Sequence, residues 1–174
     1  VLKEPSAVPT VAISETLSGE AAKKSLLTTN ECSECDLSDA YLSYATLNGA
    51  NLRDSNMEGA DLVGANLKRA RLIGATLRDS NLRKSNLYEA DLTGVNLIGA
   101  NLWSAILIRA NLREANLTGA DLRGADLRQA KLHKANLIGA YATDIDVGNS
   151  FCVEYRMKVE EDTDSWSVFT ISGL

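Results

Sequence analysis

The sequence predicts an all-β solenoid, a parallel β-helix of square cross-section with short terminal caps. Three observations carry this prediction. Leucine recurs every five residues: of the 21 positions spaced this way from 37 to 137, 20 are Leu and one is Met57. Two residues before each sits a small side chain, Ala in 16 of the 21 cases. Apolar residues make up 45% of the chain but aromatics only 5%, and between residues 45 and 140 the only rings of Phe, Trp or Tyr are Tyr88 and Trp103. A core without rings must be built from Leu and Ala, so its slots are narrow.

A period of five fits neither a helix of 3.6 residues per turn nor a long strand of period two. It does fit a chain that turns a corner every five residues. Ala and Leu, two apart, point the same way in an extended segment. The second residue after Leu is Gly in nine of the 21 repeats, which supplies positive φ at a corner. Four segments close a square of 20 residues, and successive coils stack at about 4.8 Å. The central residue is Asn or Asp in 15 repeats. Its recurrence in every coil reads as structural, a side chain bonding to nearby backbone rather than an acid–base pair.

The elements follow in order. Residues 1–24 hold both prolines, Pro5 and Pro9, and a weak helical stretch at Glu20–Lys24 that Ser18 can cap. The strict repeat covers 35–139, with Leu52, Leu62, Leu72, Leu82, Leu92, Leu102, Leu112 and Leu122 among the core leucines. The register extends to Cys32 and Leu27 on one side, and to Ala142, Val147 and Cys152 on the other, with Ile145 and Ser150 in small slots. The solenoid is therefore expected over 25–154, a rod roughly 30 Å long at the usual strand spacing. Residues 155–174 break the register: Glu160–Asp164 is an acidic loop and Trp166–Ile171 reads as a strand. This end is expected to be a cap, or a surface for pairing with a second copy, because solenoid edges need covering.

The segments Ala50-Asn51-Leu52-Arg53-Asp54, Ala60-Asp61-Leu62-Val63-Gly64 and Ala120-Asp121-Leu122-Arg123-Gly124 resemble the pentapeptide-repeat family. The resemblance implies a right-handed quadrilateral β-helix. It also implies two classes of function. Some members mimic B-form DNA and bind type II topoisomerases; others are rigid interaction scaffolds, and members occur in cyanobacteria and in the plant thylakoid lumen.

Composition narrows the choice. No run of 18 apolar residues exists, so no membrane span is expected. The net charge of −5 argues against nucleic-acid binding. Residues 35–139 carry 11 acidic and 13 basic side chains, so the acidity lies in the flanks. A rod of net charge about +2 lacks the long-range field that a DNA mimic uses. No phosphate loop, zinc spacing or nucleophile motif appears, so neither catalysis nor a cofactor or metal is expected. The single His133 falls in an outward slot and reads as surface. Cys32-Ser33-Glu34-Cys35 reads as two buried small side chains or a local disulfide. Three cysteines leave one odd thiol, which favours a reducing compartment such as the cytoplasm, with the thylakoid lumen as an alternative. The chain opens on Val1, so a processed protein, or one piece of a longer protein in which the rod serves as spacer or localisation module, is a further expectation.

Residues 20 apart should be neighbours. The slot after Leu then aligns Arg83, Trp103 and Arg123, with Trp103 between two guanidinium groups. The next side aligns Lys68, Tyr88, Ile108 and Arg128, and its central slot carries Ile106 where Asn or Asp is usual. Tyr88, Trp103, Ile106 and Ile108, rimmed by Arg83, Arg109, Arg123 and Arg128, form the candidate binding patch for a protein partner.

Overall fold

The chain is seen in a computed structural model that describes residues 16–147. Residues 31–147 form a four-sided parallel β-helix. Every coil takes 20 residues, and parallel bridges join positions 20 apart, from Glu31↔Asn51 to Asp126↔Asp146. The four faces are defined by their bridging residues. Face one holds Asn51, Arg71, Asp91, Asn111 and Lys131; face two Asn56, Thr76, Asn96, Asn116 and Asn136; face three Asp61, Asn81, Asn101, Asp121 and Tyr141; face four Asn66, Asn86, Ile106, Asp126 and Asp146.

Each corner is a four-residue turn. The amide of the small residue donates to the carbonyl of the preceding Leu, as in Ala70 N to Leu67 O at 2.9 Å. The second residue after Leu has positive φ whether it is Gly74 at 70° or Lys84 at 56°. Positive φ at the third position alone marks a type II turn. Only some corners are Gly, so the others hold a side chain in the left-handed region at a cost of roughly 1–2 kcal/mol each, less for Asp. Ladder bonds offset that cost: Leu82 N donates to Asn101 O at 2.8 Å and Asn81 N to Ala60 O at 2.9 Å.

The central Asn and Asp side chains act on the backbone, as their recurrence implies. The Asn86 Oδ1 accepts from Tyr88 N at 3.0 Å, and Asn101 Oδ1 from Trp103 N at 3.1 Å. Inside, Leu52, Leu62, Leu72, Leu82, Leu92, Leu102, Leu112 and Leu122 are fully buried with the alanines between them. Burying one such Leu contributes about 1.5–3 kcal/mol. Ser55 and Ser80 occupy small slots without loss, because their hydroxyls donate to Leu52 O and Leu77 O at 2.8 and 2.7 Å.

The N-terminal end differs from expectation. Helix α1 runs Gly19–Thr29, so the coils begin at Glu31 and not at residue 25. The period of 3.6 turns Ala22 and Leu26 inward onto the first coil and leaves Leu27, assigned to a core slot, 49% exposed. Ser18 holds the N-cap position but makes no side-chain cap bond. Its segment pairs with the first coil instead: Ser18 bridges Asp36, and Asp36 N donates to Leu17 O at 2.8 Å. That pairing and the helix cover the raw edge. Asn30 ends α1 in the left-handed conformation, donating its amide to Leu26 O at 2.9 Å.

At the other end Ala142 is buried and Ile145 packs against the core, as the register requires. Val147, also assigned to a core slot, is 37% exposed at the last described position. The expectations for Pro5, Pro9, Ser150, Cys152 and the segment 155–174 lie outside the described residues.

Candidate functional site

The site is built on the corner between faces three and four. Because coils stack in register, residues 20 apart form columns, and Trp103 lies one coil from Arg83 and one from Arg123. The Arg83 guanidinium carbon sits 5.0 Å from the Trp103 ring centroid, and Lys84 Nζ sits 5.3 Å from it. One column further round, Lys68 Nζ lies 5.1 Å from the Tyr88 ring. The two rings lie half-buried along the rod under these cations. Ile106, in the central slot of face four, is 39% exposed, and Ile108 is half-buried beside it. The four apolar residues thus lie along face four and the two corners that bound it.

The arginine rim is less uniform than the sequence suggests. Arg123 does not lie on the Trp103 ring. It makes a two-pronged contact with Asp121, Nε to Oδ1 at 2.9 Å and Nη2 to Oδ2 at 2.7 Å. Arg128 does the same with Asp126 and also meets Asp146 at 3.4 Å. These hydrogen bonds hold the Asp121 and Asp126 carboxyls below the usual carboxylate range. Arg109 is shared between Glu89 at 3.5 Å, Gln129 Oε1 at 2.7 Å and the Tyr88 hydroxyl at 3.3 Å. Arg69 closes the same column, with Nε 2.8 Å from Glu89 Oε2, and this bond is the main cause of the lowered Glu89 pKa. The cations set over rings are Arg83, Lys84 and Lys68. The sequence columns already set Lys68 beside Tyr88 but left it out of the patch, and they missed Lys84, which stands next to Arg83.

Ile106 also changes the backbone. In neighbouring coils Asn86 and Asp126 accept the amide two residues on. Ile106 offers no such acceptor to the Ile108 amide. The corner therefore gives up a structural bond at the position where it exposes an apolar side chain.

The other candidates lie off this face. Among the described residues no group of three or more His, Cys, Asp or Glu could hold a metal. His133 is exposed. Cys32 and Cys35 are joined in a disulfide with Cα atoms 5.3 Å apart, which resolves the two readings of that motif.

The sequence model described as Pentapeptide repeats matches residues 31–69, 65–103 and 105–141 in eight copies. The chain belongs to the pentapeptide-repeat family. Members fold as right-handed quadrilateral β-helices, and the described coils have that four-sided, 20-residue geometry. A pentapeptide-repeat protein of the Arabidopsis thaliana thylakoid lumen is 35% identical, with a TM-score of 0.57, over 59% of this chain and 72% of that one. HetL, involved in heterocyst differentiation regulation in the cyanobacterium Nostoc, is 27% identical with a TM-score of 0.47, over 69% of this chain and 75% of HetL. QnrB1, a plasmid-mediated fluoroquinolone resistance protein, is 21% identical with a TM-score of 0.46, over 66% and 68%. No curated protein matches the chain.

Proposed function

We propose that this pentapeptide-repeat protein is a non-enzymatic scaffold that docks a protein partner through the Trp103 corner. One observation carries the reading: Trp103, Ile106 and Ile108 follow one another along face four and its two bounding corners, and Ile106 stands where the rod's own backbone would use Asn or Asp. A residue that works against local structure is expected where function asks for it. Arg83, Lys84 and Lys68 lie over rings instead of being held to carboxylates. The partner face that fits is apolar at its centre with acidic side chains around it. The same cations speak against a DNA mimic, whose surface must be acidic.

The experiment is site-specific photo-crosslinking in native extract, with the photoreactive residue placed at Ile106 or, on the opposite face, at Asn116. Docking at the corner gives an adduct from position 106 alone, and added salt weakens it. Equal adducts from both positions would contradict the reading.

A further inference from the structure

The Cys32–Cys35 pair lies away from the docking corner, and docking makes no use of its sulfur chemistry. Cys32 takes the large core slot and Cys35 the small one, the positions held by Leu52 and Ser55 one coil on. The bond therefore spans the inner side of a corner, beneath helix α1. Ala22 and Leu26 of α1 are fully buried against this coil, and Cys32 Sγ lies 3.4 Å from the Ala22 carbonyl oxygen. Beside it opens a cleft of about 400 Å³, lined by Leu17, Ser25, Glu31, Glu34 and both cysteines.

We propose that this disulfide is a thiol–disulfide exchange site whose co-reactant is a dithiol, and that its redox state sets how firmly α1 caps the rod. The cleft gives a thiolate a route to the bond. Both cysteines line the cleft, and Cys32 Sγ lies against α1, which leaves Cys35 as the side open to attack. The donor thiolate attacks Cys35 Sγ, the S–S bond breaks, and the electron pair leaves on Cys32 Sγ, which takes a proton. The donor's second thiol then attacks its own sulfur in the mixed disulfide, releasing Cys35 Sγ to be protonated. The net exchange is two electrons and two protons: the donor leaves as a disulfide and the rod gains two thiols. The Cys32 thiol has an acceptor already placed, the Ala22 carbonyl oxygen.

Two separate thiols need more room than a bonded pair. Cys32 Sγ lies against Ala22, so on that side the room comes from the lid, and reduction pushes on Ala22 and Leu26 and loosens α1. Glu31 and Glu34 border the cleft, so a donor with a neutral or basic rim fits it best.

The test uses the full chain carrying Cys152→Ser, with dithiothreitol as the dithiol. Alkylation should trap two thiols while the circular dichroism of the rod is unchanged. Native hydrogen exchange of the α1 amides should then rise about tenfold, with the amides of residues 51–141 unaffected and the change reversed on reoxidation. The Cys32→Ser/Cys35→Ser double variant should exchange like the reduced form. Three results would overturn the proposal. The disulfide could resist reduction in the folded chain. The exchange of α1 could be equal in both states. Reduction could release all coils together, which would make the bond a global staple.

Discussion

Arg83 and Trp103, one coil apart on the same corner, form a cation–π pair with the guanidinium carbon 5.0 Å from the ring centroid. Lys84 reaches the same ring at 5.3 Å. The pair exists because the 20-residue register places every side chain over its counterpart in the adjacent coil. The two cations shield the indole in the free protein. In a Trp166→Phe background, replacing Arg83 and Lys84 with Ala should raise acrylamide quenching of Trp103 about twofold, since such contacts shield a ring face. Unchanged quenching would mean that the cations do not cover the ring in solution.

Ile106 gives a second prediction. Ile106→Asn restores an acceptor for the Ile108 amide, as Asn86 does for Tyr88. A restored hydrogen bond of this kind contributes about 1 kcal/mol, which offsets the loss of a partly exposed apolar side chain. The variant should therefore unfold in urea at the same or a higher midpoint than the parent, while partner binding weakens. A clearly lower midpoint would show that Ile106 serves the rod rather than the surface.

Much of this molecule was legible in the sequence because each repeat states the same constraint. Leu52 through Leu122 could be placed inside from spacing alone, and the columns joining Arg83 to Trp103 followed from counting 20. What escaped was decided by competition between neighbours. Arg123 was expected on Trp103, but Asp121, two residues away, offers a charged two-pronged partner that outweighs a ring face. Lys84 then lies on the ring with Arg83. Leu27 was placed in a core slot because it fits the five-residue count, yet α1 imposes its own period there and buries Leu26. Whether Cys32 and Cys35 bond is fixed by how the corner folds, which the spacing left open.

The corner glycines predict opposite effects of adding and removing a side chain. Gly74 has φ of +70°, and a Cβ there would collide with Asp54 Oδ1 of the preceding coil. Gly74→Ala should cost about 1–2 kcal/mol, the penalty for a left-handed residue, with more if Asp54 cannot swing away. Lys134 holds φ of 59°. Lys134→Gly should relieve part of that strain and stabilise by up to about 1 kcal/mol. Denaturant unfolding of both variants checks the pair. The same direction of change in both would contradict the turn assignment.

The column Arg69–Glu89–Arg109 predicts a dependence on acid. The hydrogen bond from Arg69 is the first cause that lowers the Glu89 pKa, followed by Tyr88, with Arg109 adding to it. A carboxylate whose pKa is depressed by folding contributes stability above its unfolded value, about 4.3, and loses it as pH falls through the folded value. Glu89→Gln should therefore be less stable than the parent at neutral pH. The difference should shrink below about pH 4 and also in high salt. Thermal unfolding across pH reads this directly, and a difference that stays constant with pH would contradict it.

If the Trp103 corner docks a protein, the affinity of a partner identified by crosslinking at Ile106 must depend on it. The measurement is calorimetric titration of that purified partner into the parent rod and into Trp103→Ala/Ile108→Asp, with the fold of the variant confirmed by circular dichroism. Removing an aromatic anchor and placing a charge in the apolar centre should weaken binding by about 30-fold or more, the scale of a hot-spot loss. Equal affinity for the parent and the folded double variant would mean that the partner docks elsewhere.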